Sequence, residues 1–217
     1  MDFQLSIILR NYPLLLAGAY MTLLITAIAL TVGVVMGGLL CAARISRTPA
    51  LRRFAVGYIL FFRVTPEMIL IFWAYFCIPL ITGLRISGLW AGSIALGLVA
   101  SAYYAEIFRA GIQALPKGQP EAALSLGMRG IPLWRFVILP QALRLMVPPL
   151  VNYFTELLKN TTLLSAIGVG ELALQAYLLG GQTYRYVEFL TAIAFIYFLI
   201  IFPLSLLSRR LEHRDAR

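Results

Sequence analysis

The stretch NYFTELLKNTT, residues 152–162, places Glu156 and Lys159 three residues apart between apolar runs. On a helix that spacing puts a carboxylate and an ammonium on one face, where they can pair. An ion at the centre of a membrane helix costs about 2.5–3.5 kcal/mol on insertion scales. A helical ion pair returns only about 0.2–0.5 kcal/mol. Facing lipid, the pair loses, so it must face the protein interior or a water-filled cavity. Two roles fit: contact with a polar solute in transit, or a structural ion pair buried between subunits. Asn160, Thr161 and Thr162 extend the polar patch. Glu156, Asn160 and Thr161 are therefore the candidate solute contacts.

A second polar interruption, RVTPE at residues 63–67, divides another apolar run. Glu67 either contacts the amino group of a solute or pairs with Arg63 across a proline kink. Tyr103 and Tyr104 either line a cavity or pack. Enzymatic chemistry finds little to work with. His213 is the single histidine, in a polar tail, and no His/Cys/carboxylate cluster has metal-ligand or nucleophile–base spacing. Cys41 and Cys77 lie in apolar runs and read as small hydrophobic wall residues rather than a disulfide.

These residues sit in a chain of 217 residues that is 61% hydrophobic and only 12% charged, with a mean hydropathy of +0.87. A soluble domain of this size carries roughly twice that charged fraction, and several runs reach the ~20 residues that span a bilayer. The expected fold is an all-α integral membrane domain over residues 14–208, followed by a basic tail at 209–217. Spans are expected near residues 14–41, 54–83, 88–108, 146–167 and 189–207. The first apolar run is too long for a signal-peptide core and reads as a retained span. It carries Ala29, Gly33 and Gly37, a small-residue face that lets another helix approach closely. Glu106 and Arg109 are spaced to pair at the end of the third span. GVGELALQAYLLGGQ, residues 168–182, reads as a short amphipathic helix lying at the interface.

The net charge of +9 is distributed next to span ends rather than along a basic stripe with interleaved aromatics, which argues against nucleic acid. The basic segments at 44–53, at 109–144 and after 208 belong on the cytoplasmic side by the positive-inside rule. Five transmembrane helices with the N-terminus outside and the C-terminus cytoplasmic satisfy every loop.

The cytoplasmic segment 113–140 contains EAALSLGMRGIPLWRFVILP from Glu121 to Pro140. Pro116, Gly118, Gln119 and Pro120 lead into it; Pro120 suits the first turn of a helix and Glu121 complements the helix dipole there. Gly127 can terminate the helix. The result is a rod of two turns, about 10–15 Å long, with a narrow waist at Ala122 and Ala123. Alone it is too short to be stable and needs a partner surface or packing from flanking Leu124, Leu126 and Trp134. Docking element and plain connector both fit the composition.

The motif resembles the signature of binding-protein-dependent ABC importer permeases: Glu-Ala-Ala, three residues, Gly, nine residues, Ile, any residue, Leu-Pro. Glu121, Ala122, Ala123, Gly127, Leu139 and Pro140 match, with Val137 in place of Ile. AYYAEIFRAGIQALPKGQPEAA, ILPQALRLMVPPLVN and LLKNTTLLSAIGVGEL resemble the polar amino acid uptake branch, so the likeness covers nearly the whole chain. Two of its motifs depart further, at three positions. Asn160 and Thr162 stand where relatives commonly read Lys-Asp-Thr-Ser, and Val64 replaces the glycine of Arg-Gly-Thr-Pro.

The resemblance implies that the short helix is a coupling helix seated in a separate ATP-hydrolysing subunit, through Gly118, Gln119, Glu121, Ala122, Ala123 and Gly127. Inverting a gate from 1:99 to 99:1 requires about 5.5 kcal/mol of differential free energy. This chain has no phosphate-binding Gly-rich loop with Lys-Ser/Thr, and its only lysines are Lys117 and Lys159. No cofactor is expected on the chain itself; ATP and magnesium belong to the ATPase partner. The other implied partners are an extracytoplasmic solute-binding protein, a second permease copy or a homologous permease, the small-molecule substrate and membrane lipid. The implied location is the bacterial inner membrane. A glutamate- or glutamine-like solute is favoured, and the missing carboxylate at Asn160 argues against a cationic amino acid. An opine, a sulfur amino acid or a compatible solute remain alternatives, as does a nucleotide-independent channel or structural membrane subunit.

Overall fold

A computed structural model describes residues 3–215, and every regular element among them is helical. After a short α1 (Leu5–Arg10), α2 runs from Tyr12 to Ile45, started by Pro13 in its first turn. Helix α3 (Pro49–Val64) likewise opens on a proline. Then α4 (Glu67–Phe72) continues through a π-helical turn, Trp73–Cys77, into α5 (Ile78–Thr82), which Gly83 ends at φ +73°. Helix α6 covers Gly88–Gln113 and α7 covers Gly118–Ser125. A single helical turn, α8 (Ile131–Leu133), leads through a π-helical turn into α9 (Leu139–Asn160), which tightens to 3-10 geometry at Thr161–Ile167. Helices α10 (Leu172–Thr183) and α11 (Tyr186–Asp215) complete the chain.

Three helices are long and apolar enough to cross a bilayer unaided: α2, α6 and α11. The second and fourth expected spans are bent pairs. Pro49–Val64 and Glu67–Thr82 meet at 103°, far more than the kink expected at RVTPE. Pro66 cannot donate a backbone hydrogen bond, and Thr65 turns its hydroxyl back to Phe61 O at 2.8 Å, so the first helix closes instead of continuing. The other pair, Ile131–Ile167 with Leu172–Thr183, bends by 49°.

That second bend corrects the interfacial reading of residues 168–182. Helix α10 belongs to a bent pair and buries one whole face: Leu172, Ala176, Leu179 and Gly180 are buried, packed with Leu15 of α2 and Phe189 and Ile193 of α11, while Tyr177 and Leu178 face outward. The backbone freed at the bend is satisfied internally, as an apolar setting demands. Glu171, fully buried, accepts from Ala173 N and Leu174 N at 2.8 Å each, and Thr22 Oγ1 accepts from Leu172 N at 3.2 Å.

Helix α6 is the axis of the fold. Two thirds of its apolar window is buried, against 11% for α11, whose outer faces are left for lipid or another chain. The small-residue face of α2 packs on α6: a Cβ added at Gly33 would lie 2.8 Å from Ala100 Cβ, and one at Gly37 2.8 Å from Tyr104 Cβ. Around this seam Ile25, Ile71, Leu96, Leu157 and Leu164 form the main core. Helix α11 extends to Asp215, so most of the expected tail at 209–217 prolongs it; Ala216 and Arg217, the end of that tail, lie outside the described residues.

Candidate functional site

Two places gather the residues singled out above. The first is the polar seam where α9 meets α4 and α6. Asn160 Nδ2 donates to Glu67 Oε2 at 2.8 Å, joining positions 93 residues apart. The 103° bend makes this contact possible, because it puts Glu67 at the start of a new helix beside the end of α9. Of the two roles left open for Glu67, the ion pair with Arg63 does not form. Arg63 lies over the Tyr103 ring, 5.2 Å from its centroid, a cation–π contact.

Tyr103 stacks on Tyr153 at 4.7 Å, and Tyr153 meets Tyr104 edge-on at 5.1 Å. Tyr104 is core, whereas Tyr103 opens onto a cavity of about 360 Å³ that also touches Arg63, Arg44 and Glu106. Sequence reasoning missed Tyr153. Its signal was present: positions 153, 156 and 160 follow a 3–4 spacing that lines up one helix face.

Glu156 and Lys159 pair at 2.5 Å, with side chains 51% and 52% exposed. They do not turn into the interior of this chain, so of the two settings expected only a cavity or a surface covered by another subunit is left. Thr161 is placed differently. It is fully buried, its hydroxyl donates to Leu158 O at 2.8 Å, and it backs the seam rather than lining its open side. The apolar cavity of about 460 Å³ inside the 103° bend offers little to a polar solute. Its polar groups are the Trp73 indole and Thr65, whose hydroxyl is already used by the Phe61 carbonyl.

The second place is α7. The helix starts two residues earlier than expected, so Gly118 and Gln119 lie in its first turn and Pro120 follows where no intrahelical N–H bond is lost. It ends in a Schellman motif: Gly127 N donates to Leu124 O and Met128 N to Ala123 O, both at 3.0 Å, with Gly127 at φ +78°. Gln141 reaches back from α9 to Gln119 at 3.4 Å. The alanine waist is divided. Ala123 is 5% exposed and packs on Leu133 and Ile138, flanked by Ile112, Leu115 and Met128. Ala122, Glu121, Leu124 and Leu126 stay uncovered, Leu126 at 82% exposure. The rod therefore sits on its own chain through Ala123 and offers the opposite side outward.

Residues 29–216 match the family described as binding-protein-dependent transport system inner membrane component. The chain belongs to that family. Family membership implies an ATPase subunit, a solute-binding protein and a second permease as partners, and a multi-pass membrane protein that is a translocation component rather than an enzyme. Similar proteins include the glutamine transport system permease protein GlnP of Escherichia coli K12, 37% identical over 99% of this chain and 98% of that protein. The arginine transport system permease protein ArtQ of Bacillus subtilis is 33% identical over 99% and 98%. A crystal structure of an amino acid ABC transporter with histidines superposes with a TM-score of 0.90 at 38% identity, covering 99% of this chain and all of the other. The methionine ABC transporter MetNI, in an inward-facing form, gives 0.73 at 25% identity over 93% and 98%. Among the described residues no three His, Cys, Asp or Glu side chains converge as a metal site would require.

Proposed function

We propose that the chain is the membrane subunit of an ATP-driven, binding-protein-dependent importer for a polar amino acid, working by alternating access in the bacterial inner membrane. Relatives named for glutamine, glutamate/aspartate and arginine lie within 33–37% identity, which supports the class of solute more than any one member. A glutamate- or glutamine-like solute is favoured. The two bent pairs count as spans, giving five, with the N-terminus outside and the C-terminus cytoplasmic; the domain then covers residues 14–208.

One observation carries the mechanism: α7 is cemented to Ile138, and Ile138 opens directly into α9, which ends at Asn160. A displacement of α7 by the ATPase travels along that single rod, 22 residues or about 33 Å, to the Glu67–Asn160 bond. Gly118, Gln119, Glu121, Ala122 and Gly127 form the docking side, with Ala123 as its anchor. Pro148 and Pro149 lie inside α9, where each deletes a backbone bond and lets the rod flex. Glu67, Asn160, Tyr103 and the exposed Glu156 form the solute path at the seam with a second permease, and Thr161 holds the end of α9 in place. A charged, hydrogen-bonded seam can accept a zwitterion without burying unpaired charge. ATP and magnesium act on the partner.

The test is a panel of amino acids against the cognate external binding protein, followed by ATPase stimulation in the reconstituted complex. Stimulation by polar amino acids supports the reading. A complex stimulated equally by every solute, or one in which no ATPase associates, overturns it.

A further inference from the structure

A cleft of about 570 Å³ opens where α2 and α6 end and α3 begins, lined by Arg44, Arg52, Arg53 and Arg109 with Gly57 and Gln113. The solute path does not use it. The one nearby carboxylate, Glu106, lies in the adjoining cavity and meets Arg44 and Arg109; no carboxylate among the described residues lines the cleft itself. That carboxylate is already occupied: Arg109 grips it through Nε at 3.1 and 3.2 Å and through Nη2 at 2.7 Å, while its Nη1 donates to Gln113. Arg44 Nε lies 3.5 Å from Glu106, buried and without a hydrogen bond. Arg52 and Arg53 are exposed and form no ion pair among the described residues. Guanidinium donors held in this way call for an acceptor that can take several forks, which is the chemistry of a phosphate.

The cleft shares Arg44 and Val56 with the neighbouring cavity, whose wall along α3 continues as Ile59, Leu60 and Val64. That cavity is polar on its other side, at Arg63, Tyr103 and Glu106, but Leu60 and Val64 are also exposed on the outside of α3, so the phosphate pocket adjoins an aliphatic strip directed along the spans. We propose that the Arg44–Arg52–Arg53–Arg109 cleft is a binding site for the headgroup phosphate of an anionic phospholipid, whose acyl chain lies outside the neighbouring cavity, along the exposed side of Val56, Leu60 and Val64 on α3. Basic pockets between helices on the cytoplasmic side hold lipid headgroups by the same physics. The proposal takes the cytoplasmic orientation of this end from the reading above but not the solute or the coupling. Bound there, the lipid ties α3 to the α2–α6 seam.

The experiment is native mass spectrometry of the assembled, delipidated transporter titrated with phosphatidylglycerol, with phosphatidylcholine as the neutral control. Phosphatidylglycerol is expected to be retained selectively. The Arg52→Gln/Arg53→Gln double variant, changed only at exposed side chains, lowers its affinity about 30-fold at about one surface arginine's worth per site. Gly57→Trp keeps all four arginines and fills the cleft; an added Cβ meets nothing within 4 Å, so the helix accepts it. It should abolish retention. Equal retention by Gly57→Trp and the unaltered protein shows diffuse surface charge instead and overturns the site. Displacement of the lipid by inorganic phosphate or free glutamate shows a soluble-anion site and overturns it too. Failure of solute-stimulated ATPase activity with lipid retention intact strikes the transport reading alone.

Discussion

Replacing Asn160 by aspartate tests the seam most directly. In the structure the Asn160 amide donates to Glu67 at 2.8 Å. An aspartate in the same rotamer brings two carboxylates to that separation, a repulsion of about 6 kcal/mol at an effective dielectric of about 20. Asn160→Ala instead removes one hydrogen bond to a charged group, about 1.5–3 kcal/mol. Asn160→Asp should therefore impair the protein more than Asn160→Ala, although aspartate is nearly isosteric with asparagine. Combining it with Glu67→Gln restores a donor–acceptor pair with its polarity reversed, the new amide on α4 donating to the new carboxylate on α9. Thermal unfolding in detergent and solute-stimulated ATPase activity of the reconstituted complex should both fall in the order wild type, Asn160→Ala, Asn160→Asp, with the double variant recovering much of the loss. A double variant no better than Asn160→Asp, or an Asn160→Asp protein indistinguishable from wild type, would refute the pairing as the element that joins α4 to α9.

Further outcomes follow from the same geometry. Ala122→Trp should leave the permease's own unfolding temperature unchanged yet weaken co-purification with the ATPase, because Ala122 faces outward, whereas Ala123→Trp should lower stability by about 1–3 kcal/mol through overpacking on Leu133 and Ile138. Gly37→Leu should be more damaging than Gly38→Leu in thermal unfolding, since a Cβ at Gly37 meets Tyr104 Cβ at 2.8 Å while one at Gly38 meets nothing within 4 Å. Glu171→Ala leaves two backbone N–H groups of α10 without their acceptor and should cost about 0.5–2 kcal/mol, visible as faster hydrogen exchange at Ala173 and Leu174.

Composition and local pattern were enough for the class of fold, because lipid leaves the backbone few options: apolar runs of span length must be helical. The same holds for α7, whose Pro, Glu and Gly positions are local signals read along one turn of chain. Its Schellman ending at Gly127 required nothing beyond neighbours in sequence. The small-residue face at Ala29, Gly33 and Gly37 was equally legible, though not its partner on α6.

What the linear pattern did not contain was direction in space. A proline between two polar residues at 65–67 announces a break, but the 103° angle depends on what α4 packs against, and only that angle carries Glu67 to Asn160. Polarity at 168–182 suggested a surface helix, yet Glu171 caps the helix from within and Thr22, 150 residues from Leu172, supplies a buried acceptor, so one face turns inward. Ala122 and Ala123 are identical in type and adjacent in sequence; one is open and one is sealed because Leu133 and Ile138 return to cover a single side. Periodicity is a property of neighbours along the chain, whereas these outcomes depend on which distant side chains complete a hydrogen bond or fill a gap, and that is settled only when the helices pack.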